Sequence, residues 1–273
     1  MRYVLWMWLF VSLNVLAAKP PDVLLLNPYN GEQVEGWLVS EKYDGVRAYW
    51  DGETLWSRQG HPIVPPDWFV RHFPPFALDG ELWLGRGRFE QTLSVVRTQT
   101  ADVGWDKMAF YVFDVPDQAG GLLARLGVLQ HYLQRHQQPY IRVVAQQPLA
   151  SMNQLAPWLD KVVEAGGEGL VIREPNQPYI RGRTPFALKY KPQYDAECEV
   201  TGYLAGKGKY EGQVGALLCR NQQGQVLRLG SGLSDLQRQQ PPKIGEQVSY
   251  RYSGFTQKGH PKHAVFWRLR SSP

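Results

Sequence analysis

Residues 41–47 of this chain, Glu-Lys-Tyr-Asp-Gly-Val-Arg, decide how the rest is interpreted. Strand-like runs on both sides, with an Asp-Gly pair between them, predict a hairpin with a tight turn. Such a turn would hold Lys42 and Arg47 close together, and a neighbouring cation lowers the pKa of a lysine. A lysine amine of low pKa is a usable nucleophile, and the two charges would attract a phosphate. The alternative is a solvated hairpin whose charges are incidental.

The length and composition are those of a soluble enzyme or binding protein. A chain of 273 residues can bury a large core and can hold two domains. Hydrophobic residues make up 43% and charged residues 20%, which is ordinary for a globular protein. The net charge of +5 suits a polyanionic partner.

The first 18 residues have the pattern of a secretory signal peptide. Arg2 is followed by apolar runs at residues 3–11 and 13–18, which end in the small residues Ala17 and Ala18. Cleavage after either alanine would release a mature protein that works outside the cytoplasm. The alternative, an uncleaved membrane anchor, needs a longer run.

The two cysteines, Cys198 and Cys219, both stand in strand-like runs. They could form a disulfide in an oxidising compartment, or they could be two separate buried thiols. Neither has a histidine at metal-ligand spacing, so no zinc site is predicted.

The pattern Lys42-x-Asp44-Gly45-x-Arg47 resembles motif I of the covalent nucleotidyltransferases, which comprise ATP-dependent DNA ligases, RNA ligases and mRNA capping enzymes. The resemblance implies that Lys42 takes up a nucleoside monophosphate as a phosphoramide. It also implies that Arg47 offsets charge at phosphorus and contacts DNA.

Three further segments resemble motifs Ia, III and IIIa of this superfamily, in the family's order. Arg58, in a Ser-Arg-x-Gly segment, would reach the ribose of the nucleotide. Glu81, in Asp-Gly-Glu, would accept a hydrogen bond from a ribose hydroxyl. In the strand predicted at residues 108–115, alternation puts Tyr111 and Phe113 on one face. Phe113 would stack on the adenine, with Tyr111 as the second choice. The alternatives are a surface arginine, an exposed acid on a hairpin turn, and core packing.

Apolar spacing predicts helices at residues 122–136 and 152–164. Two segments after the second helix resemble motifs IV and V. Glu168, which begins a Glu-Gly-hydrophobic-hydrophobic segment after a predicted helix, would hold a divalent metal, and we expect Glu81 to share it. Lys189 and Lys191 alternate on a predicted strand and would contact the α-phosphate. Arg183 would assist at the nucleotide phosphates, with Arg181 as its substitute. The alternatives are an exposed acid after a helix end and solvated basic residues.

The chain beyond Pro192 has a different texture, with five short strand-like runs separated by glycine-rich turns. Five short strands predict a small β-barrel, for which the OB-fold is the natural candidate. We therefore predict a domain at 19–192 and a second at 193–273. In the second domain, the resemblance gives candidate DNA contacts at Lys207, Lys209, Ser231, Lys258 and Lys262. Arg268 and Arg270 occupy the position of motif VI, but the acid usual in that motif is absent.

Because the motifs extend over nearly the whole mature chain, it most resembles the minimal bacterial ATP-dependent DNA ligases of the Lig E type. This resemblance implies an α+β fold, in which an adenylation domain of antiparallel sheets with flanking helices precedes the OB-fold. It implies ATP, with AMP bound covalently to Lys42, and Mg²⁺, for which Mn²⁺ is expected to substitute. It also implies nicked duplex DNA as the substrate, a monomer and a periplasmic location. The alternatives are an RNA ligase or another covalent nucleotidyltransferase, and a secreted DNA-binding protein without catalysis.

Overall fold

The computed structural model describes residues 21–98, 103–256 and 258–270. The chain divides into two compact units between Tyr190 and Lys191. The predicted signal peptide, residues 1–18, lies outside the described residues. Within the described ranges, every helix is too short or too polar to cross a bilayer.

Two sheets form the framework of the first unit. Its strands are β1 Leu24–Pro28, β2 Leu38–Glu41, β3 Val46–Trp50, β4 Leu55–Ser57, β5 Pro62–Ile63, β6 Leu78–Trp83, β7 Ala109–Asp114, β8 Ile141–Val143, β9 Gln147–Pro148, β10 Leu170–Arg173 and β11 Gly182–Tyr190. Sheet A has the order β1-β11-β10-β2-β9, and sheet B has the order β5-β4-β3-β6-β7-β8. The β1–β11 and β7–β8 pairs are parallel and the other pairs in these sheets are antiparallel.

The hairpin predicted around Lys42 is wrong. β2 belongs to sheet A and β3 to sheet B, so residues 42–45 carry the chain from one sheet to the other. Glycine is required at position 45 because of a close backbone contact, and not because of a hairpin turn. A Cβ atom there would lie 2.3 Å from the carbonyl oxygen of Leu82, so only glycine lets the loop pass this close to β6.

The helices of the first unit cover its sheets. They are α1 Asp67–Val70, α2 Phe89–Arg97, α3 Leu122–Arg135 and α4 Leu155–Glu164. The helices predicted from periodicity are confirmed, and a capping box at Ser151 and Gln154 opens the 3-10 turn that leads into α4. α3 contributes Leu126 and Leu129 to the core under sheet B, and α4 contributes Leu155 and Leu159 to a second core under sheet A.

One sheet with a short helix makes up the second unit. Its elements are β12 Tyr194–Ala205, β13 Val214–Asn221, β14 Val226–Leu229, α5 Asp235–Gln239, β15 Gln247–Tyr252 and β16 Val265–Leu269. The described strands are the five that the sequence predicts, in the order β14-β13-β12-β15-β16. Cys198 and Cys219 form a disulfide within the core of this unit, so the first of the two alternatives for these cysteines holds.

Candidate active site

Lys42, the predicted nucleophile, directly follows β2 at one end of sheet A. Its backbone N–H donates to the carbonyl of Gly169 at 2.8 Å, which fixes the loop beside the start of β10. Its ammonium Nζ lies 2.6 Å from Oε2 of Glu168, the predicted metal ligand. Both side chains are partly exposed, at 23% and 17%. Two motifs more than a hundred residues apart therefore meet in one ion pair.

Glu81 approaches this pair from sheet B. The backbone register aligns Arg47, Glu81 and Tyr111 across β3, β6 and β7, and residues paired in this way point to one face of a sheet. Burial raises the pKa of the Glu81 carboxyl to about 8, although the positive charges of Lys42 and Arg47 oppose this effect. The negative charge of Glu168 raises this pKa further, so the two carboxylates and the lysine act on one another. We call Lys42, Glu81 and Glu168 the lysine–carboxylate cluster.

Two glycines make room for this cluster. The backbone N–H of Gly45 donates to Oε1 of Glu81 at 3.2 Å. A Cβ atom on Gly167 would lie 2.5 Å from a methyl of Val162 and 2.9 Å from that residue's carbonyl oxygen. The chain can therefore turn from α4 to Glu168 only with glycine at position 167.

Arg47 is bound to Asp79, which the sequence analysis did not single out. Its Nε and Nη2 donate to the two carboxylate oxygens at 3.0 and 2.6 Å, and Asp79 is fully buried. Tyr179 donates to the same carboxylate at 2.6 Å and accepts from the backbone N–H of Leu24. Burial and the charge of Asp79 raise the pKa of Tyr179, so its phenol stays protonated as a donor.

The expected pair of adjacent uncompensated cations is therefore not found. Lys42 is bonded to Glu168 and Arg47 to Asp79, so each cation has its own carboxylate. The reason is that the connecting loop runs between two sheets: Asp79 lies in β6 of sheet B, and Glu168 lies two residues before β10 of sheet A.

The two predicted adenine-stacking aromatics lie on the same face of β7. Tyr111 and Phe113 are half-buried while their neighbours in sequence are buried, which confirms the predicted alternation. Tyr111 packs against Tyr43 and Trp83, with ring centroids 4.6 and 5.0 Å away. Phe113 instead lies under the guanidinium of Arg47, 5.3 Å from its ring centroid. Which ring stacks on adenine stays a prediction.

Lys189 of β11 pairs with Val171 of β10. The next residues, Tyr190 and Leu170, are aligned with Glu41, which precedes Lys42. Lys189 therefore lies one residue from the end of sheet A at which Lys42 is found. β11 ends at Tyr190, so Lys191 lies just beyond the strand and opens the second unit. The expectation that both lysines alternate on one strand is therefore not met.

The three other predicted arginines of the first unit lie apart from the cluster. Arg183 pairs with Leu25 near the other end of β11, and the seven residue steps from Arg183 to Tyr190 along the strand span about 23 Å. Its Nη1 donates to a backbone carbonyl, that of Leu26. Arg181 bonds to Asp117 and to the carbonyl of Asp22. Arg58 is exposed in the turn after β4, across β3 from the strand of Glu81.

The predicted DNA contacts of the second unit lie in its connections between strands. Lys207 and Lys209 lie between β12 and β13 and are exposed, and the Nζ atom of Lys209 lies 4.5 Å from the centre of the Tyr210 ring. Ser231 follows β14. Lys258 and Lys262 lie between β15 and β16, the first exposed and the second half-buried.

The two arginines at the position of motif VI have partners within the second unit. Arg268 stacks on Trp267, with its guanidinium carbon 4.2 Å from the ring centroid. Arg270 forms an ion pair with Glu197.

The acids of the cluster fit a magnesium ion. Within the described ranges, no group of three or more His, Cys, Asp or Glu residues could hold a metal alone. Mg²⁺ is usually bound by one or two carboxylates and takes its other ligands from phosphate oxygens and water. Glu168 and Glu81 match that donor set.

Comparison with known proteins decides the family. The family model described as ATP dependent DNA ligase domain matches residues 29–191, and the DNA ligase OB-like domain matches residues 205–270. A DNA ligase of Haemophilus influenzae is 43% identical over 247 residues, which are 90% of this chain and 91% of that protein.

The chain belongs to the ATP-dependent DNA ligases. A solved structure of a Lig E DNA ligase superimposes with a TM-score of 0.85 at 36% identity, over 92% of this ligase and 99% of that chain. The DNA ligase-adenylate of Chlorella virus, 23% identical with a TM-score of 0.54, shares the fold, over 94% of this chain and 99% of that one. The predicted family, the adenylation and OB-fold architecture and the DNA ligase activity are confirmed, whereas the RNA ligase and non-catalytic alternatives are not supported.

Four residues beside the cluster were missed from the sequence. Two are Asp79 and Tyr179, described above, and the others are Glu41, which directly precedes Lys42, and Arg86, which forms an ion pair with Glu41 at 2.7 Å. Asp79 stood in the quoted Asp-Gly-Glu segment, and its place directly after the apolar run at residues 76–78 was an available signal that it is buried. The partners of the others lie between 45 and 155 residues away, so no local pattern could have indicated them.

Proposed function

We propose that this ligase seals nicks between a 5′-phosphate and a 3′-hydroxyl in duplex DNA, with Lys42 as the residue that carries AMP. The observation that carries the proposal is the 2.6 Å ion pair of Lys42 with Glu168, with Glu81 facing it from the other sheet. A lysine held between two acids, beside glycines that allow close backbone approach, suits the binding of a phosphate-bearing nucleotide.

ATP is a substrate in the proposed reaction. The Lys42 ammonium donates to Oε2 of Glu168, and its proton must pass to that carboxylate or to solvent before the amine attacks the α-phosphorus. A phosphoramide bond forms between Nζ and that phosphorus, and the bond to the leaving pyrophosphate breaks. The 5′-phosphate of the nick then attacks the phosphorus of this adenylate, and the bond from phosphorus to Nζ breaks to return the lysine amine. The 3′-hydroxyl, with loss of its proton, attacks the activated 5′-phosphate, which closes the strand and releases AMP. Each step is an in-line transfer, so positioning and charge carry the catalysis.

The remaining predicted roles of this site belong to the same proposal. Glu168 and Glu81 would hold Mg²⁺ or Mn²⁺, which when bound would offset charge on the phosphates. Lys189 and Lys191 would add positive charge at the α-phosphate. Arg47 would present to phosphate the Nη1 edge of its guanidinium, since Asp79 already takes Nε and Nη2.

The second unit would supply the duplex contacts. Lys207, Lys209, Lys258 and Lys262 would bind backbone phosphates, and the backbone at Ser231 would approach the DNA. Contacts of this kind add affinity that depends on salt and does not read sequence.

We further propose that the ligase is an exported monomer of the periplasm. The apolar pattern of residues 1–18 supports export. The Cys198–Cys219 disulfide supports an oxidising compartment, because such bonds persist there and are rare in the cytosol.

The test is transfer of label from α-labelled ATP to the protein in the presence of Mg²⁺, followed by denaturing electrophoresis. Wild-type protein should take up label and lose it when nicked duplex is added, with the appearance of sealed strand. Lys42→Ala should take up none. Labelling of the Lys42→Ala protein at the wild-type level would refute the proposed nucleophile.

A further inference from the structure

Glu41 is the last residue of β2 and immediately precedes Lys42. Its Cα pairs with that of Leu170, which lies two residues after Glu168. The position of the Glu41 side chain is therefore linked to both members of the Lys42–Glu168 ion pair. Neither the family motifs nor the proposed chemistry assigns it a role.

Arg86 reaches Glu41 from the other sheet. It lies in the loop that follows β6, the strand of Glu81. Its Nε and Nη2 donate to the two carboxylate oxygens of Glu41 at 2.8 and 2.7 Å, which is the two-pronged geometry of a strong arginine–carboxylate pair. Its Nη1 donates to the carbonyl oxygen of Ala165 at 3.3 Å, at the C-terminal end of α4.

These hydrogen bonds attach one loop of sheet B to two points that flank the cluster. One point is the end of the strand that leads to Lys42, and the other is the end of the helix that leads to Glu168. The packing between them is close, because a Cβ atom on Gly167 would lie 3.0 Å from Oε1 of Glu41. A change in the pair would therefore shift both partners of the 2.6 Å contact.

Stability alone does not account for this arrangement. The Arg86 side chain is 36% exposed, and ion pairs near solvent contribute little to folding. Lysine would preserve the charge but could not span Glu41 and Ala165 with a planar fork. The geometry is thus more specific than a surface charge pair requires.

We propose that Arg86 is a positioning residue that, through Glu41 and Ala165, holds Lys42 and Glu168 in line for attack on the α-phosphorus. This inference rests on the proposed formation of lysyl-AMP. A displacement of about 1 Å in a reacting group can cost two orders of magnitude in rate. Because Arg86 acts through other residues, we expect a smaller displacement, and Arg86→Gln should lower the maximal rate of AMP transfer to the protein by about tenfold. The ATP concentration that gives half that rate should change by less than about twofold, because Arg86 is not placed on the nucleotide.

The experiment measures single-turnover labelling of the full chain with α-labelled ATP and Mg²⁺ over a range of ATP concentrations. Arg88→Gln, an exposed arginine two residues further on, is the matched control and should label at the wild-type rate. Glu41→Gln should reproduce Arg86→Gln, and the double variant should be no slower than either single variant if the two act as one unit.

Sealing of a nick that already carries 5′-AMP separates positioning of Lys42 from general damage, because that step does not need the amine. Arg86→Gln should slow the sealing of this substrate clearly less than it slows labelling, because Glu168 acts in the sealing step but the Lys42 amine does not. Equal slowing of both steps would show a merely structural role, and unchanged labelling or additive effects of the two substitutions would also overturn the proposal. Failure of wild-type protein to take up label would instead refute the proposed function on which it rests.

Discussion

The pH dependence of stability should report the burial of Glu81 directly. The carboxyl has an ordinary pKa of 4.5, which burial raises to about 8 in the folded protein. Between these values the folded state keeps a proton that the unfolded state has lost, so stability should fall as pH rises from about 4.5 to about 8 and then level off. The difference between these two pKa values corresponds to an upper bound of about 5 kcal/mol. Since the residue is only half-buried, we expect about half of this.

Glu81→Gln keeps the shape of the side chain and removes the titration. We therefore expect the difference in the free energy of unfolding between variant and wild type to grow by about 1 kcal/mol or more from pH 5.5 to pH 7.5. The measurement is urea unfolding of both proteins at several pH values, in EDTA and without nucleotide. Parallel curves for the two proteins would contradict a Glu81 carboxyl that keeps its proton in the folded state between these pH values.

Three further perturbations test other parts of the account. Asp79→Asn leaves the guanidinium of Arg47 without its carboxylate and should cost about 3 kcal/mol of stability in denaturant unfolding, whereas a loss below about 1 kcal/mol would show that the pair is replaceable. Reduction of the Cys198–Cys219 bond, which spans a sequence separation of 21, should destabilise the second unit by about 3 kcal/mol, as measured by unfolding with and without dithiothreitol. An unchanged transition would oppose a structural role for that bond. Replacement of Lys207 and Lys209 by glutamate should reduce the dependence of log affinity for nicked duplex on log salt by about 2, and an unchanged slope would exclude both from the DNA contact.

Local patterns were enough to predict most elements. Alternation along β7 indicated both its existence and the shared face of Tyr111 and Phe113, and leucine spacing indicated α3. The order of the motifs also pointed to the residues of the lysine–carboxylate cluster. These features depend on residues that are near one another in sequence or on a pattern that the family repeats.

The features that were missed depend on pairing between distant segments. An Asp-Gly pair between two strand-like runs favours a hairpin, but it carries no information on whether those strands share a sheet. At Gly45 the close approach of the Leu82 carbonyl, not a turn, explains the glycine. The carboxylates that balance Lys42 and Arg47 come from residues 126 and 32 positions away, so the charge state of the site could not follow from residues 41–47 alone.

The central claim is that one amine, that of Lys42, becomes bonded to AMP. The most direct measurement is peptide mass spectrometry of the full chain after incubation with ATP and Mg²⁺, with Lys42→Arg as the comparison. The account predicts an AMP adduct on the peptide that contains residue 42 in the wild type and on no peptide in the variant. An adduct on another residue, or the same adduct level in Lys42→Arg, would contradict it.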